Sequence, residues 1–167
     1  MYQLDMSGDC GVPACEVLDS ALLGATTAEV DNTAEKMRRL VHAVRTQLEP
    51  VECPVHHHFS PGVYARELRI PADSVAVGKM HKQENMLIMS AGEANISVGD
   101  VVTRVKAPHI SVSPAGTQRA VYTITDCVFI SVHGTHETDL EKIEQEFIAQ
   151  DALEYEQYRL ANATIGA

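Results

Sequence analysis

The sequence predicts an all-β barrel or sandwich with helices only at its two ends. Three observations carry this. From Val51 to His136 short apolar or alternating runs are punctuated by turn residues at regular spacing. No stretch between Pro71 and Val132 keeps a helical period. The two stretches that do keep one lie outside, over Asn32–Leu48 and Asp139–Glu156.

Taken in order, residues 1–50 form an arm and an amphipathic helix. Gly8, Gly11, Pro13 and Gly24 break up residues 1–30, leaving an irregular arm with a short helix near Glu16–Leu23. Asn32 followed by Glu35 has capping-box spacing, and Met37, Leu40, Val41, Val44 and Leu48 fall on one stripe that Pro50 ends. Lys36, Arg38, Arg39 and Arg45 lie off that stripe, giving a basic face that is either solvated or a dock for an acidic partner.

Residues 51–136 form the barrel. Val63–Ile70 alternates and Pro71-Ala72-Asp73 turns the chain. Ser74–His81 and Glu84–Ser90 are expected to pair as a central hairpin. Ala94–Val98, Val101–Lys106, His109–Ser113, Arg119–Ile124 and Cys127–Val132 complete the strands. Residues 137–167 return to helix, with Thr138 and Glu141 as a second capping box and Leu140, Ile143 and Phe147 as an apolar stripe. From Asp139 to Glu156 there are seven acids and one lysine, opposite in charge to the first helix. The two helices therefore pack on each other or meet across a subunit boundary. The second arrangement predicts a homo-oligomer, a dimer in the first instance.

Composition narrows the function. A formal net charge of −10 and a pI near 5.1 argue against nucleic acid, whose phosphates such a field repels. No apolar run approaches the ~20 residues of a membrane span. The start MYQLDMSGDC lacks the basic and apolar regions of a signal peptide, which points to a cytoplasmic location. Cys10, Cys15, Cys53 and Cys127 make no CxxC pair and read as reduced thiols.

The stretch with most chemistry is Gly78–Gly92, GKMHKQENMLIMSAG. Period-2 alternation puts Lys79, His81 and, past a corner, Asn85 on one face among the apolar Val75, Val77, Leu87 and Met89. Polar groups facing an apolar interior need a partner, a ligand or water.

These residues resemble the two motifs of the cupin superfamily, whose fold is a small jelly roll, the double-stranded β-helix. Its first motif runs His-x-His, three or four residues, Glu, six residues, Gly. Here Lys79-x-His81, Asn85 and Gly92 stand in that frame. Its second motif, Pro-x-Gly-x-x-His with Asn four residues on, is matched by Pro114, Gly116, Arg119 and Thr123. The stretches HHHFSPGVYARELRIPADSVAVGKMHKQE and VHGTHETDLEKIE also look like small cupin-like proteins of tailed bacteriophages, which would place the chain in host cytoplasm or a virion.

The resemblance implies a site at Lys79, His81, Asn85 and Arg119. Cupin metals sit on three His and one Glu, but lysine and arginine are cationic donors and do not ligate a divalent cation at neutral pH. No metal and no cofactor are therefore expected at that place. The four groups suit a small anion instead, a carboxylate or a phosphate. A displaced metal site would need His81 and Glu84 with His57 of the His56-His57-His58 run, or with His133 or His136, which read as exposed loop residues. A metal-free isomerase using His81 and Tyr122 as acid and base is also open, so the sequence leaves enzymatic activity undecided. Three functions follow: a metal-free cupin-fold protein binding a small anion, a structural jelly roll of an assembly or virion, and a metal-dependent enzyme with non-standard ligands.

Overall fold

The computed structural model describes residues 2–3 and 27–163. The expected helix near Glu16–Leu23, together with Cys10 and Cys15, lies outside the described residues. In chain order the first elements are β1 (Tyr2–Gln3), α1 (Thr27–Gln47), β2 (Val55–Ser60), β3 (Val63–Ile70), β4 (Ser74–Val77) and β5 (Met80–His81). Then come β6 (Asn85–Ala91), β7 (Glu93–Val98), β8 (Val101–Lys106), β9 (His109–Ser113), β10 (Ala120–Thr123) and β11 (Cys127–Gly134). The chain ends with α2 (Leu140–Phe147), β12 (Ile148–Ala149) and α3 (Ala152–Ala163). No described helix is long and apolar enough to cross a membrane.

Two five-stranded antiparallel sheets face each other, in the orders β2-β3-β11-β6-β9 (front) and β1-β4-β10-β7-β8 (back). From β3 to β11 the chain changes sheet at every connection between these strands except β7–β8. Numbering the eight barrel strands in order and leaving out β5, the front sheet reads 1-8-3-6 and the back sheet 2-7-4-5. That interleaving is the double-stranded β-helix, a jelly roll.

The expected hairpin of Ser74–His81 with Glu84–Ser90 does not form. β4 lies in the back sheet and β6 in the front, so Gly78–Glu84 is a corner between sheets, not a turn within one. Backbone bonds hold this corner from outside. The Gly78 N–H donates to the Arg119 carbonyl (2.8 Å), that of Lys82 to Phe147 (2.7 Å), and that of Gly116 to His81 (2.8 Å). The two motif stretches are thus tied to each other.

The motif glycines are needed where they stand. Gly92 turns the chain from β6 to β7 at φ 91°, and a Cβ there would lie 2.2 Å from the Asp126 carbonyl oxygen. Gly116 has φ 77°, and its missing Cβ leaves room for the Tyr155 ring of α3, which a Cβ would meet at 2.5 Å.

One core cluster fills the barrel, with Ile70, Ala76, Met89, Ala94, Ile96, Val105, Cys127 and Phe129 buried. A second joins Tyr64 of β3 to Ile143 and Phe147 of α2, which closes one end of the barrel. Burying a side chain of Phe or Ile size is worth ~1.5–3 kcal/mol, so α2 is held mainly by these two residues.

Both terminal helices depart from expectation. α1 begins at Thr27 instead of Asn32, because Val30 and Ala34 keep the helical spacing into Met37 and no breaker intervenes. Among its described side chains Met37 and Val44 are buried. Its Lys36 pairs with Asp100 in the β7–β8 turn (2.6 Å) and Arg38 with its own Glu35 (3.6 Å). Neither pair reaches the acidic C-terminal segment.

That segment is two helices, not the single helix predicted over Asp139–Glu156. Its cap is Asp139, whose carboxylate accepts from the Glu141 and Lys142 amides, and not Thr138. The break at Ile148–Ala149 is extended because those residues pair with Met80–His81 as β12 on β5. A tertiary hydrogen-bonded ladder outweighs local helix preference here.

Candidate functional site

A cavity of about 200 Å³ lies inside the barrel, roofed by α2. The front-sheet register stacks its walls in layers. Tyr64 opposes His133 beneath the roof, Arg66 opposes Ser131, and Leu68 opposes Phe129. Leu87 stands beside Ser131, and Ala76 pairs with Val121 across the back sheet. All of these line the cavity, which reaches down to Ile70.

Lys79, His81, Asn85 and Arg119 all line this one cavity. They arrive from the corner after β4, from β5, from the start of β6 and from the turn before β10. Lys79 pairs with Glu144 of α2 across the mouth. Arg119 donates to the Ser113 hydroxyl, and burial holds its guanidinium below the ordinary value. Asn85 is buried, and its amide Nδ2 has no partner.

Arg66, which the sequence reading passed over, adds a second guanidinium. Among the described residues no ion pair joins Arg66 or Arg119 to a carboxylate. The signal for Arg66 was its parity in β3, since Tyr64, Arg66, Leu68 and Ile70 share one face.

His133 is a correction. It was expected on an exposed loop, but β11 continues through Gly134 and buries it to 6 % exposure. It continues the inward set Cys127, Phe129, Ser131, whereas His136 is exposed as expected. The His133 ring stacks on His81, with centroids 5.1 Å apart and planes 6° apart, and lies 4.6 Å from Phe147. Nδ1 of both rings is buried without a partner.

Burial lowers both imidazoles from 6.5 to about 4. For His81 the neighbouring His133, Arg119, Arg66 and Lys79 add to the effect. Both rings are therefore neutral at pH 7. His57 also lines the cavity, and its Nδ1 lies 2.8 Å from the Tyr64 hydroxyl. Its pKa is lowered by partial burial and then by Arg66, His58 and His56.

These residues do not fit a metal. Imidazole lone pairs lie in the ring planes, so two nearly parallel stacked rings do not converge on one ion. Glu84 is exposed and outside the cavity, and Glu144 is engaged by Lys79. Among the described residues no group of three or more His, Cys, Asp or Glu is arranged to hold one. The acid–base pair of His81 with Tyr122 is not assembled either. Tyr122 alternates away from the cavity-lining Val121, and its hydroxyl donates to Asp73 (3.0 Å).

The roof is pinned at the motif corner. Lys82, with its side chain only 11 % exposed, pairs with Glu154 of α3 (2.7 Å) and donates to the Gln145 carbonyl (2.9 Å). Together with β12 on β5, this fastens α2 to the residues on either side of His81.

No protein-family description matches the sequence. No curated protein matches it either. Solved structures similar to it include the Schizosaccharomyces pombe Cnp3 cupin domain, 16 % identical over 60 % of this chain and 71 % of that one, at a TM-score of 0.44. A conserved Klebsiella pneumoniae protein with a double-stranded β-helix domain is 16 % identical over 55 % of this chain and 85 % of its own, at 0.45. An RmlC-like cupin family protein of Methanocaldococcus jannaschii is 17 % identical over 57 % and 89 %, at 0.43. By its own strand order, 1-8-3-6 against 2-7-4-5, the chain has the cupin-type double-stranded β-helix fold.

Proposed function

We propose that this chain is a metal-free, non-enzymatic binding protein that takes a small anion into its barrel. One observation supports the reading: Arg66 and Arg119 both line the cavity, and neither has a carboxylate partner among the described residues. Both side chains are half-buried, so each has given up part of its hydration without gaining a counter-charge, and an anion held near them would supply one. The Asn85 amide, a buried donor without a partner, adds a neutral hydrogen bond to the same anion. His81 and His133, neutral at pH 7, serve as walls and hydrogen-bonding groups and add no charge. In this reading the chain, like the phage-encoded proteins it resembles, works in a host cytoplasm.

Thermal unfolding with a panel of carboxylates and phosphate tests this, against sodium chloride at equal ionic strength. A ligand at a hundred times its Kd stabilises by ~2.7 kcal/mol. At least one anion is expected to raise Tm beyond the chloride control, and Arg119→Met to abolish the rise. No anion acting beyond chloride, or an undiminished rise in the variant, would refute the reading.

A further inference from the structure

The layering of the cavity says more about the anion than that it is negative. The geometry points to an amphiphilic acid: one carboxylate head near Arg66 and Arg119 and a short apolar body, of about five or six carbons, on the barrel floor. This rests on the anion-binding reading above and specifies its ligand class.

The front-sheet register sets the order of the layers. Arg66 and Ser131 face each other one step below Tyr64 and His133. The next step down is Leu68 with Phe129, and Ile70 lies beyond. Ala76 and Val121, paired across the back sheet, add apolar wall to the same cavity. Two residues of strand advance ~6.6 Å, so Arg66 and the apolar pair Leu68 and Phe129 start from separate levels of one cavity. Above the arginine layer the underside of α2 is apolar again, with Ile143 and Phe147 buried.

Each half of such a site excludes a simpler guest. A hydrated inorganic anion satisfies the guanidinium groups but leaves the floor of Leu68, Phe129, Ala76 and Val121 empty or wet. A hydrocarbon fills the floor but leaves two cations uncompensated. A carboxylate matches the planar fork of an arginine, and its tail takes the floor out of contact with water. Size sets the length: a cavity of ~150 Å³ accepts benzene, and this one measures about 200 Å³. That is room for a six-carbon body and a head, straight or aromatic, but not for a long fatty chain.

Titration calorimetry of the unmodified protein at pH 7.5 decides it, with acetate, butanoate, hexanoate, benzoate, dodecanoate, 1-hexanol and inorganic phosphate as probes. Burying one CH2 is worth ~0.8 kcal/mol, which is about fourfold in Kd. Hexanoate is therefore expected to bind about fifteenfold tighter than butanoate. Benzoate should be comparable to hexanoate, dodecanoate weaker, and 1-hexanol at least tenfold weaker than hexanoate. Val121→Phe, which fills the floor, should weaken hexanoate while leaving acetate unchanged; the chain-length series stands without it if that variant does not fold. Acetate or phosphate binding as tightly as hexanoate, or affinity rising on to dodecanoate, overturns the amphiphile and leaves the anion site standing. Binding of no anion, or of hexanol as well as hexanoate, overturns both.

Discussion

Acid should unfold this protein earlier than its carboxylates alone would. His81 and His133 are lowered from 6.5 to about 4 in the fold, so between those values the unfolded chain binds more protons than the native one. Stability then rises with pH. It is fully present above about 6.5 and is lost as pH falls towards 4. The groups facing the pair do not reverse this. Arg66, Arg119 and Lys79 repel a proton on His81, and Glu144 is already matched by Lys79. At pH 5 an unfolded imidazole is almost wholly protonated and a native one about a tenth so, which amounts to ~2 kcal/mol per ring and ~4 for both. Against typical urea slopes of ~1.5 kcal/mol per molar, the midpoint should drop by roughly 2–3 M between pH 7.5 and 5. Glu67, Glu137 and Glu154, all lowered below 4.5, contribute in the same direction but mostly below pH 5. The window from 7.5 to 5 therefore reports mainly the histidines, with His57, also lowered, adding to the pair in the same direction. Urea unfolding across it, repeated for His81→Asn and His133→Asn, is the assay. A midpoint that does not move, or a full pH dependence surviving in the double variant, would refute the reasoning.

Four further outcomes follow from the structure. Gly92→Ala should destabilise by more than ~3 kcal/mol, through positive φ and the Asp126 carbonyl. Gly62→Ala, whose Cβ would meet only the His136 ring at 3.4 Å, should cost about 1, and thermal melts compare the two. Phe147→Ala should cost ~3–5 kcal/mol and raise hydrogen exchange in α2 before it does so in β3 or β11; uniform exchange would show that the roof is not a separate unit. Elemental analysis of protein purified without chelator should find no stoichiometric transition metal, and about one zinc, iron or manganese per chain lost in His81→Ala would restore the enzyme reading. Light scattering should find a homo-oligomer. On the outer front sheet Val132, Met86 and Val112 form one row and Ile130, Ile88 and Ile110 another, uncharged on a chain of net charge −10. Met86, Val112 and Ile110 are 45, 51 and 64 % exposed. A monomer at micromolar concentration, or an oligomer untouched by Ile110→Lys, would end that proposal.

Alternation made the strands legible, because each β-residue reports one face and the turns carry their own signals. Val63–Ile70, Val101–Lys106 and His109–Ser113 stand where alternation put them. Partnership between strands was not legible. Ser74–Val77 and Asn85–Ala91 are neighbours in sequence and read as a hairpin, yet a corner of seven residues, Gly78–Glu84, sends them to opposite sheets. The motif frame found four residues of the cavity because spacing along one strand and one turn is local information. Arg66 and His133 were missed because their importance depends on which face of β3 and β11 points inwards. The break between α2 and α3 was invisible for the same reason. Ile148 and Ala149 have no breaker beside them and are extended only because β5 is there to pair with them.

The stability of the barrel and the chemistry of its cavity pull in opposite directions, and the layout keeps them apart. Below the arginine layer, Met89 and Cys127 are almost completely buried, at 1 % exposure each, and make a core that needs no ligand. At the other end Tyr64, Ile143 and Phe147 seal the barrel with a second apolar cluster. Between the two lie the groups that destabilise an empty fold: two guanidinium groups without carboxylates, two imidazoles with orphaned Nδ1 atoms, and the Asn85 amide. A layer evolving only for stability would replace them with leucine and valine, since isosteric apolar packing commonly matches or exceeds a buried charge network. They line one cavity over adjoining levels, with His133 one step above Arg66 and apolar residues on both sides, which is what a binding site requires. A ligand arriving there gains the interaction energy that the empty protein lacks. The residues that hold the roof, Lys82 with Glu154 and β12 on β5, attach it at the corner carrying His81. If an anion binds as proposed, these contacts should transmit its occupancy to α2, so that a ligand reduces hydrogen exchange at Ile143–Ala149 more than in the β7–β8 hairpin. Equal protection of both would mean that the roof and the cavity act independently.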